Sequence, residues 1–151
     1  MIENAIIFSK EANKAIVTSA FGEVDPETED FSDSLAKIRE IAIKLEKGVF
    51  NLDLSAGLTA IIFAIQNISV ALVFNESLDK RAIKEWEDVA KQIASGIDKI
   101  YDPKKADNEY SEYKKILDEI VEWHLKEESP IDKMKDALWW FGGTDTNGRF
   151  T

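Results

Sequence analysis

The sequence predicts an α+β domain built on a five-stranded antiparallel sheet, with elements in the order β-β-α-β-β-β-α-α and a short helix at the C-terminal end. Five segments of strand length are rich in Ile, Val and Phe or alternate between apolar and polar residues. One segment lies between the second and third strands, and further segments follow the fifth strand. In these segments apolar residues recur at spacings of three and four, as they do in amphipathic helices. Short polar turns join the strands that follow one another closely, which favours antiparallel pairing.

The first half of the chain supplies two strands and the first long helix. We expect Ala5 to Phe8 and Ala15 to Phe21 to pair as a hairpin across a polar loop. Ser32 or Asp33 can cap a helix that runs to about Lys47. The apolar side of this helix is formed by Phe31, Leu35, Ile38, Ala42 and Leu45.

Three strands follow this helix. Val49 to Ser55 alternates as a half-exposed strand does. Every residue from Leu54 to Asn75 is uncharged, and a run of this length could also cross a bilayer as a helix. Polar residues near the middle of the run favour two strands instead, Leu58 to Ile65 and Ile68 to Phe74, joined by a tight turn at Gln66-Asn67. Their continuous apolar character places both strands at the centre of the sheet.

Helices complete the chain. Ser77 or Asp79 starts the second long helix, and a third runs from about Asp107 to Lys126. Ser129-Pro130 is a start signal for a short fourth helix through Phe141, because Pro is favoured at the first helical position. We therefore divide the chain into an α+β domain, residues 1–128, and a C-terminal helix with a tail of turn composition, residues 129–151.

Composition excludes several classes of protein. The 151 residues include no cysteine, and 44% are apolar, which argues against a disulfide scaffold, a thiolate metal site and a disordered chain. The formal net charge of -10 disfavours nucleic acid as a partner, because phosphate binding relies on clustered Lys and Arg. The sequence opens without a basic and apolar leader, so we expect a cytoplasmic protein with no transmembrane segment, peripheral to membranes only through a partner.

The order of elements, carried by Ala5 to Phe21, Phe31 to Lys47 and Val49 to Tyr101, is similar to the profilin-like plan. With a strand first and helices last, it resembles the longin domain in particular, and more loosely the roadblock domains of the same superfamily. Asp107 to Lys126 would correspond to the last longin helix, whereas the helix from Ile131 to Phe141 lies outside the pattern. The resemblance implies a noncatalytic adaptor that acts in trafficking machinery or regulates a small Ras-like GTPase.

The resemblance also implies a partner and a surface to receive it. Domains of this superfamily commonly pair with a second copy or a relative, so the expected partner is another longin or roadblock protein, a second copy of this chain, or a small GTPase. Longin domains often receive an extended peptide on the surface between the first helix and the third strand. By position, that surface would be formed here by Leu35, Ile38, Ala42, Phe50, Leu52 and Leu54.

No motif in the sequence argues for an enzyme. The sequence has no P-loop, nucleophile elbow or Rossmann fingerprint, and its single histidine, His124, lacks the converging groups that a metal site or a catalytic triad needs. We therefore expect no catalytic residue, metal or cofactor. Arg39 and Arg81 are candidate partner-facing residues, because an arginine supplied in trans can stabilise phosphoryl-transfer charge, although ordinary surface positions explain them more simply.

The aromatic run Trp139, Trp140 and Phe141 is the sharpest local feature. Adjacent residues of a helix point about 100° apart, so the three side chains cannot all enter one core. Either at least one of them contacts a partner, as Trp does in interface hot spots, or the helix folds back and caps the domain.

A second class of function is a profilin-like or PAS-like sensor domain. Such a domain binds a small ligand between the sheet and a helix, and it requires a cavity of roughly several hundred cubic ångströms lined by apolar groups and a few polar ones. A solid core at that place would exclude this alternative.

Overall fold

The computed structural model describes residues 2–22, 29–54, 57–102, 104 and 110–140, with the backbone alone described for 29–31 and 127–140. These residues form five strands and three helices. The strands are β1 (Ile2–Ser9), β2 (Lys14–Ala20), β3 (Gly48–Asp53), β4 (Thr59–Ala64) and β5 (Ile68–Phe74), and the helices are α1 (Glu29–Lys44), α2 (Lys80–Asp98) and α3 (Ser111–Trp140).

All five strands belong to one antiparallel sheet with the order β2-β1-β5-β4-β3. The sheet confirms the predicted α+β class. The uncharged run forms the predicted hairpin of β4 and β5, in which Ala64 lies opposite Ser69. β5 is central and buried throughout, as expected for an uncharged and mainly apolar strand, whereas β2 and β3 form the two edges.

Helix α1 packs on one face of the sheet. It extends from Glu29 to Lys44, so it begins before the predicted cap residues, and its acidic first residues suit the positive end of the helix dipole. Ile38 and Ala42 are fully buried against the apolar side chains of β1, β4 and β5. The hydroxyl of Ser69 in β5 donates a hydrogen bond of 2.6 Å to the carbonyl oxygen of Ala42, so a carbonyl in the last turn of α1 finds its donor in the sheet.

Helix α2 covers the opposite face. Asp79 is its N-cap, as the sequence allows, and the Asp79 carboxylate accepts a hydrogen bond of 2.8 Å from the backbone N–H of Ala82. The Trp86 ring packs edge-on against Phe74, with a centroid separation of 5.1 Å. Phe74 and Val73 point to opposite faces of β5, and Val73 belongs to the core beneath α1. The two helices therefore sandwich the sheet.

The first turns of α3 lie on the same face as α2. The Tyr113 hydroxyl donates to the carbonyl of Ile100 at 2.8 Å and accepts from the N–H of Asp102 at 3.0 Å, which fixes the chain that leaves α2. The Ser19 hydroxyl of β2 donates to the Asp118 carboxylate, so α3 is also tied to an edge of the sheet.

The prediction of a separate fourth helix is wrong. α3 runs without a break from Ser111 to Trp140 and contains Ser129 and Pro130 in its interior. A proline removes one i→i−4 hydrogen bond and crowds the carbonyl of Lys126, but a helix with good helix formers on both sides can continue through it. The predicted start of the third helix at Asp107 and the predicted tail, residues 142–151, lie outside the described residues.

The chain divides into two compact units, residues 1–118 and 119–151. The sheet, α1, α2 and the first turns of α3 belong to the first unit, and the remainder of α3 belongs to the second. In the described part of the chain, none of the helices combines the length and the apolar character needed to cross a membrane.

Candidate functional site

Strand β3 is an edge strand that carries exposed apolar side chains. Within the described ranges, the exposed large hydrophobic residues are Val49 (36% exposed), Phe50 (41%) and Trp123 (61%), of which the first two are neighbours on β3. Successive residues of a strand point to opposite faces. Val49 therefore shares the α2 face with Asn51, whose Nδ2 lies 3.4 Å from Oε2 of Glu87, and Phe50 lies on the α1 face. An apolar side chain thus flanks the edge on each face.

The backbone of β3 leaves half of its polar groups facing outward. Just beyond the strand, the N–H of Leu54 donates to the carbonyl of Leu58 at 2.8 Å, in the same register that pairs β3 with β4. Because bonded and non-bonded positions alternate in an antiparallel pair, the N–H and C=O groups of Val49, Asn51 and Asp53 point away from β4. No strand of the described residues pairs with that side of β3.

The structure does not place all six residues of the α1–β3 surface implied by the longin resemblance on one exposed surface. Ile38 and Ala42 are fully buried, so they hold α1 on the sheet and cannot reach a partner while the core is closed. Phe50, Leu52 and Leu54 share the face of β3 that looks toward α1, and the last two are partly buried against the core beneath that helix. Phe50 is the member of the set that keeps the largest exposed area.

The sixth residue of that set, Leu35, lies instead in a groove at the other side of α1. The groove has a volume of about 400 Å³ and lies over β1 and β2, at the far edge of the sheet from β3. Its apolar lining is provided by Ile6, Phe8, Ala15, Ala20, Leu35 and Ala36.

A buried amide, Asn4, also lines this groove. Asn4 lies in β1 on the α1 face and is 2% exposed, and its Oδ1 has no hydrogen-bond partner among the described residues. The neighbouring Glu3 is also buried and accepts a hydrogen bond of 2.6 Å from Nδ2 of Asn75. Sequence reasoning missed Asn4, although two polar residues at the head of an apolar strand are a signal that could have found it.

The two candidate arginines lie on different faces of the sheet. Arg39 lines the groove, and its Nη2 donates a hydrogen bond of 2.8 Å to the carbonyl of Asn13, which adopts a left-handed conformation (φ 59°) in the turn between β1 and β2. Arg81 forms an exposed i,i+4 pair with Glu85, with Nε 3.4 Å from Oε2. Since α1 and α2 lie on opposite faces, the structure does not bring the two arginines to one site.

The aromatic run at the C-terminal end lies mostly outside the described residues. Trp139 and Trp140 form the last two positions of α3, but their side chains are not among those described, and neither is Phe141. Trp123, also in α3, is 61% exposed. Sequence reasoning missed Trp123, although its place between Glu122 and His124 on a helix with apolar positions elsewhere is a usable signal.

The titratable groups of the described residues form no cluster that could hold a metal ion. His124 is half-buried in α3, and no three His, Asp or Glu side chains of the described ranges are placed to hold a metal ion. Burial lowers the pKa of Lys10, whose ammonium donates to the carbonyl of Glu46 at 2.6 Å, while the Glu46 carboxylate opposes that shift. Burial raises the pKa of Tyr113.

A comparison with protein-family models finds no match to this chain, and a comparison with curated proteins finds no significant match. Function must therefore be argued from the β3 edge and the groove themselves.

Proposed function

We propose that this chain is a noncatalytic, longin-like protein-binding module, a dimerising adaptor or a regulator of a small Ras-like GTPase or of trafficking machinery. The observation that carries the proposal is the outer edge of β3, where backbone groups that no described strand pairs with lie beside two exposed apolar side chains, Val49 and Phe50. The order of elements along the chain supports the longin-like class.

The proposed mode of binding is strand addition. A partner strand laid against β3 would pair with the outward N–H and C=O groups of Val49, Asn51 and Asp53, which gives affinity through the main chain. Phe50 and Val49 would then contact the partner on either face of the enlarged sheet. Proteins commonly protect a free edge with Lys or Pro, but β3, with the sequence Gly-Val-Phe-Asn-Leu-Asp, has neither.

Asn51→Pro tests this proposal. Proline removes the outward N–H of residue 51 but no hydrogen bond to β4, because the even-numbered residues make those bonds. Thr18→Pro is the matched control on β2, the opposite edge: the N–H of Phe21 bonds to Glu3, so by alternation the N–H of Thr18 also points outward.

The measurement is sedimentation equilibrium of the chain alone and in mixtures with Ras-like GTPases of the same genome, loaded with GDP or a GTP analogue. We expect wild type and Thr18→Pro to associate with themselves or with a GTPase, and Asn51→Pro to weaken that association by about tenfold or more, since it loses main-chain hydrogen bonds and adds a steric clash. Circular dichroism checks that both variants remain folded. A monomer that binds no GTPase, or equal losses in the two variants, would refute the proposal.

The sensor alternative is favoured by one observation, the groove between α1 and the β1–β2 edge. Its volume of about 400 Å³ falls in the range of small-molecule sites, and its lining is apolar with a few polar groups. The two candidate functions use opposite edges of the sheet, and Asn51→Pro changes no residue that lines the groove.

A further inference from the structure

The groove follows from the dimensions of its elements. Strands are spaced about 4.8 Å apart, so five of them make a sheet roughly 24 Å wide, whereas one helix with its side chains is about 10–12 Å across. A single helix, α1, covers this face in the described part of the chain, and it packs over the middle strands. The outer part of the face, over β1 and β2, is left with apolar side chains that α1 does not fully cover.

The packing of the fold does not explain why a polar side chain, that of Asn4, occupies a buried position in β1. A buried amide oxygen without a partner costs about 1–3 kcal/mol of stability, and a leucine of similar size would avoid that cost. Its neighbour Glu3 is buried too, but it has Asn75 as a partner. A buried oxygen that finds no partner among the described residues, in the lining of a mainly apolar groove, is the arrangement expected where a ligand supplies the missing hydrogen bond.

We propose that the groove binds a small, largely apolar molecule whose hydroxyl or N–H group donates a hydrogen bond to Asn4 Oδ1. This inference deepens the sensor alternative and is independent of partner binding at β3. Apolar contact with Phe8, Leu35 and Ala36 supplies affinity, and the hydrogen bond to Asn4 supplies selectivity. Arg39 also lines the groove, and one of its N–H groups donates to the carbonyl of Asn13. Its remaining N–H groups can donate to a hydrogen-bond acceptor on the ligand, so a ligand with an acceptor near Arg39 is favoured.

Two features favour a small molecule over a segment of another protein. The lining comes from three elements, β1, β2 and α1, which gives a concave site and not a flat one. The unsatisfied group is a side-chain amide of β1, an inner strand, and not the free backbone edge of β2, which an added strand would use.

The test uses a matched pair of probes, 1-naphthol and 1-fluoronaphthalene, which have similar size and shape but differ in the hydroxyl donor. Binding to the full chain is followed by NMR, through chemical-shift changes of the Asn4 side-chain amide and of the backbone amides of α1. We expect 1-naphthol to bind about fivefold to tenfold more tightly than 1-fluoronaphthalene, the factor that one buried hydrogen bond provides. In Asn4→Leu, both probes should bind with equal affinity, and the melting temperature should rise.

A second pair of variants shows whether the probes occupy the groove. Ala36→Phe places a ring in the groove and should abolish binding of both probes, whereas Lys37→Phe adds the same ring at an exposed position outside the lining and should leave binding unchanged. The proposal is overturned if neither probe binds, if wild type does not distinguish them, or if Ala36→Phe binds like wild type. A change in sedimentation caused by Ala36→Phe, with no probe bound to wild type, would overturn it in favour of a second protein chain in the groove.

Discussion

The hydrogen bond from Ser69 to Ala42 should be one of the strongest single polar contributions to the stability of this fold. Ser69 is fully buried in the central strand β5, and its hydroxyl donates over 2.6 Å to a carbonyl oxygen in the last turn of α1. Ser69→Ala removes that donor and creates no group that could replace it. Water cannot compensate, because both residues are fully buried.

The expected loss follows from this geometry. Removing one partner of a buried hydrogen bond leaves the other unsatisfied, which costs about 1–3 kcal/mol, and the short bond and complete burial place this case near 2 kcal/mol. For a chain of this length, that corresponds to a fall in melting temperature of roughly 4–8 °C. The assay is urea unfolding followed by circular dichroism, from which the free energy of unfolding is extrapolated to zero denaturant.

Ser34→Ala is the matched control. Ser34 lies in α1 and is 3% exposed, but its hydroxyl has no hydrogen-bond partner among the described residues. The same change of atoms at the same depth should therefore leave the free energy of unfolding unchanged or raise it by up to about 1 kcal/mol, because Ala is also the better helix former. If the two variants lose equal stability, or if Ser69→Ala unfolds like wild type, the assignment of the stabilisation to this hydrogen bond is refuted.

Variants at three further positions test the other side of the sheet and the start of α2. Asp79→Ala should lower the free energy of unfolding by about 1 kcal/mol through loss of the cap on Ala82, and Asp79→Ser should recover most of it, as urea unfolding would show. Trp86→Ala should cost about 3–5 kcal/mol in the same assay by removing the ring that packs on Phe74; a loss below about 1 kcal/mol would contradict this packing. Burial raises the pKa of Tyr113, so its contribution to stability is complete below pH of about 10, the unfolded value, and is lost as pH rises through the folded value. In Tyr113→Phe, the melting temperature should fall less steeply as pH rises above about 10. If it falls as steeply as in wild type, other groups cause the alkaline loss of stability.

The parts of the fold that depend on local signals could be predicted from the sequence. The bounds of β5 are those expected, because an uncharged and mainly apolar run follows a turn residue, and the N-cap at Asp79 precedes a regular apolar repeat. The alternation in Val49 to Ser55 likewise predicted a half-exposed strand, and β3 is an edge strand.

Features that depend on distant partners could not be predicted. β1 begins at Ile2 and not at Ala5, since the polar residues Glu3 and Asn4 are drawn into the sheet by pairing with β5. The signal at Pro130 was strong locally, but the helix continues through it. The sensor alternative anticipated a cavity between the sheet and a helix, but the position of the groove over β1 and β2 could not be predicted, because it depends on how much of the sheet one helix covers.

The position of β1 sets the order in which this sheet can assemble. β1 pairs locally with β2 but also pairs with β5, from Ser9 opposite Ile68 to Ile2 opposite Phe74. During synthesis at about 5–20 residues per second, the first hairpin must wait about 3–11 seconds after β2 is made before β5, its second neighbour, is complete. Until then the inner side of β1 is an unpaired apolar edge, so this interval is when the nascent chain is most exposed to aggregation and has most need of a chaperone.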